Sequence, residues 1–141
     1  MPSGMQPDVS YNPLAVLVAG VLYFLLWGIW YSLLVLGRAW MTAVGLHPET
    51  IDRKHMGAKY FVNFVAGLVV AVALAHFIVF VHATTVTDGI RTGFWAWLGF
   101  TAAATVGDYL FANRSGILYL INNGFHLVAF LAMGAILAVW H

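Results

Sequence analysis

The stretches without a charged residue most constrain what this chain can fold into. From Pro13 to Leu36 the sequence carries no Asp, Glu, Lys or Arg, and a helix of about 20 apolar residues crosses the hydrocarbon core of a bilayer. Only 8% of the whole chain is charged, whereas soluble domains average about 25%. Such a surface suits lipid better than water, so we predict an integral membrane protein.

Three further apolar runs follow the first one. Together they predict an all-α fold, a single domain over residues 1–141 that forms a bundle of four transmembrane helices. Asn12 and Pro13 mark the start of the first helix, because Asn is a good N-cap and Pro fits the first helical position. The first loop is the long one, and His47-Pro48-Glu49-Thr50 predicts a short interfacial helix in it. The predicted spans are residues 13–36, 60–82, 92–111 and 117–140.

The distribution of lysine and arginine predicts the orientation of the chain. Short cytoplasmic loops carry an excess of these residues. The side that holds the second loop and both termini carries only Arg91, so we expect both termini to lie outside. The first and third loops carry Arg38, Arg53, Lys54, Lys59 and Arg114.

Polar and amphipathic residues reach a similar depth on all four predicted helices, in the cytoplasmic half of the bundle. Depth is counted from the helix ends at about 1.5 Å per residue. Ionisable and amide side chains are costly in lipid, so they are expected to face protein or water. These residues are the candidate ligand or polar-layer site: Trp27, Trp30, Tyr31, Asn63, Asp108, Asn122, Asn123 and His126.

Trp27, Trp30 and Tyr31 are spaced three and four residues apart, so they share one helical face. In the predicted first span Trp27 and Trp30 lie two to three turns from the helix end, which is too deep for simple interfacial anchoring. Buried indole and phenol groups need hydrogen-bond partners, and their π-faces can bind a cation or a flat molecule. We therefore expect this stripe to face the bundle interior.

Two ionisable residues of the layer leave alternatives open. His126 could relay protons or bind a metal or cofactor. The favoured alternative is a buried histidine hydrogen-bonded to Asn122, to Asn123 or to a neighbouring helix. Asp108 could be a protonatable site, since burial raises the pKa of a carboxyl group. The favoured alternative for Asp108 is an ion pair with Arg114, six residues further along.

Several classes of function are excluded or disfavoured. A metal site needs three or four converging ligands, and His76 lies about 10 Å further out than His126 along its helix. Ser32 and Ser115 lack base and acid partners, and no phosphate-binding loop occurs. The chain has no cysteine and a net charge of +1 without a basic cluster, which argues against nucleic acid. We expect no enzyme activity, no metal and no cofactor.

A set of short motifs extends over nearly the whole chain, from about Asn12 to Trp140. These motifs are Pro13, Trp27-x-x-Trp30-Tyr31, Gly37-x-x-Trp40-Met41, Gly45-Leu46 and Asn122-x-Gly124-Phe125-His126. Together they resemble the pattern of domain-of-unknown-function family 1761, a family of small bacterial membrane proteins. The resemblance implies four helices in the bacterial cytoplasmic membrane and supplies no activity. It also implies that asparagine is usual at the position of Asp108, which argues against a metal or proton role there.

The polar layer favours binding or permeation of a small solute or ion. Four helices leave little room for a pore, so a homo-oligomer is expected, with the path between protomers. The alternative is a non-catalytic accessory or stabilising subunit of a larger membrane complex, suggested by the small size and many aromatic residues. A third hypothesis is cofactor or pigment binding through His76 or His126, because one axial histidine can hold a porphyrin.

Overall fold

The computed structural model describes residues 10–47 and 54–140, and the regular secondary structure of this part is entirely helical. A π-helix, Leu98–Ala102, connects α4 to α5, so residues 86–111 form one uninterrupted helical segment. The helices are α1 (Pro13–Trp30), α2 (Gly37–Val44), α3 (Met56–Phe80), α4 (Val86–Trp97), α5 (Ala103–Phe111) and α6 (Gly116–Val139).

Three of the helices, α1, α3 and α6, are long and apolar enough to cross a membrane. The predicted all-helical fold class is confirmed. The fourth span stays a prediction, because α4 and α5, with 12 and 9 residues, are each too short to cross a membrane alone. The predicted interfacial helix at His47–Thr50 falls largely outside the described residues. The first loop instead contains α2, which the sequence did not predict.

The first helix is shorter than predicted, because α1 ends at Trp30 and not at Leu36. The Ser32 hydroxyl donates to the Ile29 carbonyl at 2.8 Å, which competes with the regular backbone bond. The Gly37 amide then bonds back to the Ser32 carbonyl at 2.8 Å. A side chain at Gly37 would overlap with that carbonyl, so this reversal of the chain requires glycine. The predicted depth of Trp30 within its helix is therefore wrong.

Local capping explains where two of the long helices begin. The Asn12 side chain accepts from the Leu14 amide at 2.9 Å at the start of α1, with Pro13 in the first position. The Ser115 hydroxyl accepts from the Ile117 amide at 3.1 Å at the start of α6. Each cap satisfies one of the amide groups that a helix leaves unbonded at its N-terminus.

The central element of the fold is α6, which contacts every other helix. Phe125 and Met133 on α6 are the largest fully buried side chains of the described residues. Around them the core consists mainly of small and aliphatic side chains, which lets the helices approach closely. The core includes Ala15, Ala19, Tyr23, Ala71, Leu74, Ala75, Ala129 and Leu137.

The closest helix contact joins α4 to α6 through glycines. A Cβ atom at Gly89 would overlap with the carbonyl oxygen of Gly134, and one at Gly93 would overlap with that of Phe130. The two backbones therefore touch with no side chain between them. Gly67 on α3 similarly packs against the Tyr23 ring.

Candidate functional site

Asn122 on α6 joins three helical segments through both ends of its side-chain amide. The Tyr31 hydroxyl, directly after α1, donates to Oδ1 of Asn122 at 2.7 Å. Nδ2 of Asn122 donates to the Tyr109 hydroxyl on α5 at 2.8 Å. Both distances are typical of well-formed hydrogen bonds. Asn122 therefore holds the end of α1 and the end of α5 against the central helix.

His126 lies one turn further along α6 and has a defined tautomer. Its Nδ1 atom is 2.8 Å from the Asn122 backbone carbonyl, and a carbonyl can only accept, so Nδ1 carries the proton. In the neutral ring Nε2 is then an acceptor, and the Tyr23 hydroxyl donates to it at 3.4 Å. That distance is long for a hydrogen bond. Nε2 of His126 is therefore only weakly engaged.

Three tyrosines, one asparagine and one histidine are joined by the hydrogen bonds described above, and we call these five residues the tyrosine–amide cluster. Aromatic rings surround it: the Phe125 and Phe130 ring centroids lie 5.0 and 6.3 Å from that of His126. The cluster is half-buried overall, although Tyr23 is only 6% exposed. Its members are Tyr23, Tyr31, Tyr109, Asn122 and His126.

The aromatic stripe of the first helix divides its contacts between two neighbours. Trp30 donates from Nε1 to the Ile121 carbonyl of α6 at 2.9 Å, and Tyr31 joins the cluster. Trp27 instead packs beside Tyr60 of α3, with ring centroids 5.8 Å apart. Trp30 and Tyr31 thus line the side of α6 that carries the cluster, while Trp27 lies between α1 and α3.

Asn123 does not lie on the face of α6 that carries the cluster. It lies where α6 packs against the π-helix. Its backbone carbonyl accepts from Trp97 Nε1 at 2.9 Å, and its Nδ2 donates to the Tyr119 carbonyl at 3.1 Å. The Tyr119 hydroxyl donates to the Ala102 carbonyl at 2.7 Å, so α6 bonds to both ends of the π-helix. Oδ1 of Asn123 is buried without a partner among the described residues.

Asp108 and Asn63 do not contact the cluster. The Asp108 side chain is exposed, and its carboxylate lies 3.7 Å from the Arg114 guanidinium, as the favoured alternative predicted. The sequence argument assumed a regular α-helix. The extra residue in the π-turn rotates the following residues, so that Tyr109 and not Asp108 faces α6. Nδ2 of Asn63 is buried without a partner in the described part of the chain.

His76 is separate from His126, as the depth count predicted. Its Nδ1 atom lies 2.8 Å from the Val72 carbonyl of the same helix, and its ring packs against Tyr11 at 5.3 Å. Within residues 10–47 and 54–140 no three side chains of His, Asp or Glu converge as metal ligands would.

A separate cavity of about 200 Å³ lies at the opposite end of α6 from Ser115, lined by Asn12, His82 and Trp140 among others. Ala129 and Met133 lie between this cavity and His126 along α6, and neither has exposed surface. The bundle interior is therefore closed between the two.

Sequence reasoning missed Tyr109 and Trp97. Tyr109 was not predicted as a site residue, because the adjacent Asp108 carries a charge and was chosen in its place. Trp97 offered a usable signal: it lies well inside its predicted span, where a buried indole N–H needs a partner. The partner of Trp97 is a backbone carbonyl, which no sequence pattern identifies.

Comparison with curated proteins and with solved structures finds no match. A family model matches residues 14–138, which is most of the chain. The family is DUF1761, and its description is "protein of unknown function". The match includes the whole tyrosine–amide cluster. This chain, as its aromatic and amide motifs predicted, belongs to the DUF1761 family.

Proposed function

We propose that this chain is a four-span membrane protein that binds a small solute or cation at the tyrosine–amide cluster and passes it across the membrane as a homo-oligomer. The observation that carries the proposal is the state of His126. Its Nε2 atom is an acceptor held only at 3.4 Å by the Tyr23 hydroxyl, in a half-buried position among aromatic rings. A polar atom that is weakly engaged inside an apolar bundle is available to a ligand.

The chemistry of the cluster favours a ligand that donates hydrogen bonds or carries positive charge. Nε2 of His126 accepts a proton or hydrogen bond. The half-buried ring of Phe130, with its centroid 6.3 Å from that of His126, can attract a cation beside it. Ammonium, small protonated amines and the hydrated proton combine both properties.

Packing supports a path between protomers and not through one bundle. Ala129 and Met133 close the interior beyond His126. By contrast α5 has no buried residue, and Phe111 at its end is 90% exposed. A second copy packed against α5 would place Tyr109 and the cluster beside an interface.

Flux into proteoliposomes tests the proposal, with methylammonium, protons and glycerol as three separate solutes. We expect the wild type to admit at least one solute faster than empty vesicles, and His126→Ala to reduce that flux to the level of empty vesicles. Asp108→Asn is the matched control, because Asp108 lies near the same end of the bundle but outside the cluster, and it should keep wild-type flux. Wild-type vesicles as tight as empty ones, or an unimpaired His126→Ala variant, would contradict the proposal.

One observation favours the second candidate, an accessory subunit of a larger membrane complex. Both polar atoms of the Asn122 side chain form hydrogen bonds with tyrosines of the same chain. A residue with a purely structural role would form such bonds. Affinity purification from native membranes in a mild detergent separates the two. Reproducible co-purification of another membrane protein supports the accessory role, and a chain that purifies only with itself counts against it.

A further inference from the structure

A second polar feature lies away from the cluster, in a groove between α3 and α4. The cavity measures about 440 Å³ and is lined by Phe77 of α3 and Val81 directly after it, by Arg91, Thr92 and Trp95 of α4, and by Phe100 of the π-helix. We call it the α3–α4 groove. Unlike the tightly packed glycine contact on the other side of α4, it is open to the surroundings.

The side chains that line the groove change in character along the helical segment that begins with α4, from a charged group to an interfacial aromatic ring and then to an apolar ring. Arg91 is exposed and lies about 7.5 Å from the start of the helix. Trp95, one turn further in, is 67% exposed, and tryptophan prefers the membrane interface. Phe100 follows deeper along the same helical segment, and its ring stacks with that of Phe77 on α3, with centroids 5.9 Å apart and planes 12° from parallel.

Arg91 has no charge partner among the described residues. No carboxylate lies within salt-bridge distance of its guanidinium in the described part of the chain, although Asp88 is only three residues away. Arg91 is also the single Lys or Arg on the predicted outer side, where such residues are disfavoured. A guanidinium binds phosphate through two parallel hydrogen bonds, so an anionic phosphate group would supply the missing partner.

We propose that the α3–α4 groove binds an anionic phospholipid. The Arg91 guanidinium holds the phosphate, Trp95 lies at the level of the ester groups, and one acyl chain runs along Phe77 and Phe100. The order of charge, interfacial aromatic ring and apolar wall matches the order of groups in such a lipid. This inference depends on residues 86–111 crossing the membrane, and it is independent of the solute proposed for the cluster.

Native mass spectrometry of the protein from nanodiscs of equal phosphatidylglycerol and phosphatidylcholine tests the site. We expect the wild type to retain phosphatidylglycerol preferentially. Arg91→Gln should reduce that adduct about fivefold, the effect of one surface arginine. Arg114→Gln is the matched control, because it removes an exposed arginine from the opposite end of the bundle, and it should leave the adduct unchanged. Arg91→Lys should keep part of the preference for phosphatidylglycerol. A folded Arg91→Lys variant would also show that the fold tolerates a change at this position.

Three results would overturn the proposal. The first is equal retention of the two lipids by the wild type, and the second is an Arg91→Gln variant that retains phosphatidylglycerol like the wild type. The third is a dimer without bound lipid, which would make a second copy of the chain the occupant. Inorganic phosphate should not displace the lipid, because the acyl chain contributes to binding. Displacement would be a fourth contradicting result and would identify a simple phosphate site instead.

Fluorescence quenching then places the lipid in the groove. Phosphatidylglycerol with brominated acyl chains should quench part of the wild-type tryptophan emission, and Trp95→Phe should remove that part. Quenching that survives Trp95→Phe undiminished would place the lipid elsewhere and contradict the assignment.

Discussion

Gly89→Ala is expected to destabilise the folded protein by at least about 3 kcal/mol, at the upper end of the cost of overpacking. The added methyl group would overlap with the Gly134 carbonyl oxygen and crowd the Ala138 Cβ atom. A backbone carbonyl within a helix cannot rotate away as a flexible side chain can. The α4–α6 contact would have to separate along its length. Equilibrium unfolding in detergent measures the free energy directly.

Gly107→Ala is the matched control for this substitution. Gly107 belongs to the same helical segment, but a Cβ atom there meets nothing within 4 Å. We expect this change to be neutral or to stabilise by up to about 1 kcal/mol, because alanine favours a helix more than glycine does. Equal effects of the two substitutions would show that the backbones of α4 and α6 do not touch.

Asn122→Leu is expected to reduce the free energy of unfolding by about 1–3 kcal/mol. The change removes the hydrogen bonds of Asn122 to Tyr31 and Tyr109, and buried hydroxyls without a partner are costly. Hydrogen bonds between helices in membranes contribute on average somewhat less stability than those in water. This sets the lower limit of the expected change in free energy. The same unfolding measurement applies.

Asn123→Leu provides the comparison, since it makes the same chemical change one residue away. Asn123 loses only a bond within its own helix, to Tyr119, and the change removes an unpartnered buried oxygen. We expect an effect within about 0.5 kcal/mol, because replacing a poorly satisfied polar group with an apolar one is nearly neutral. An Asn123→Leu variant as unstable as Asn122→Leu would mean that the cluster does not hold the helices together.

Local signals in the sequence were sufficient for much of the fold. Asn12 and Pro13 mark the start of α1, and apolar runs identify three long helices. These features depend on residues close together in the chain, so they can be read without knowing the partners. The Asp108–Arg114 pair is equally local, because both residues flank one short turn.

Features that depend on partners or on a break in helical geometry could not be predicted. The apolar residues after Trp30 would continue a helix, yet the Ser32 hydroxyl and the tight approach at Gly37 end it. The π-helix changes which face Asp108 and Tyr109 present, and no composition signal marks it. The contact of Gly89 with Gly134 likewise requires knowing that α4 and α6 are neighbours.

We propose that residues 86–111 cross the membrane as the third of four spans. If they do, the loop before α4 and the loop after α5 lie on opposite sides of the bilayer. The chain has no cysteine of its own, so Thr84→Cys and Ala112→Cys each provide one thiol at an exposed position in these loops.

Labelling with a membrane-impermeant maleimide is the most direct test. The account predicts that Thr84→Cys reacts in intact cells whose outer face is accessible, and that Ala112→Cys reacts only in inverted vesicles. Reaction of both thiols from the same side would contradict the fourth span and, with it, the placement of the α3–α4 groove.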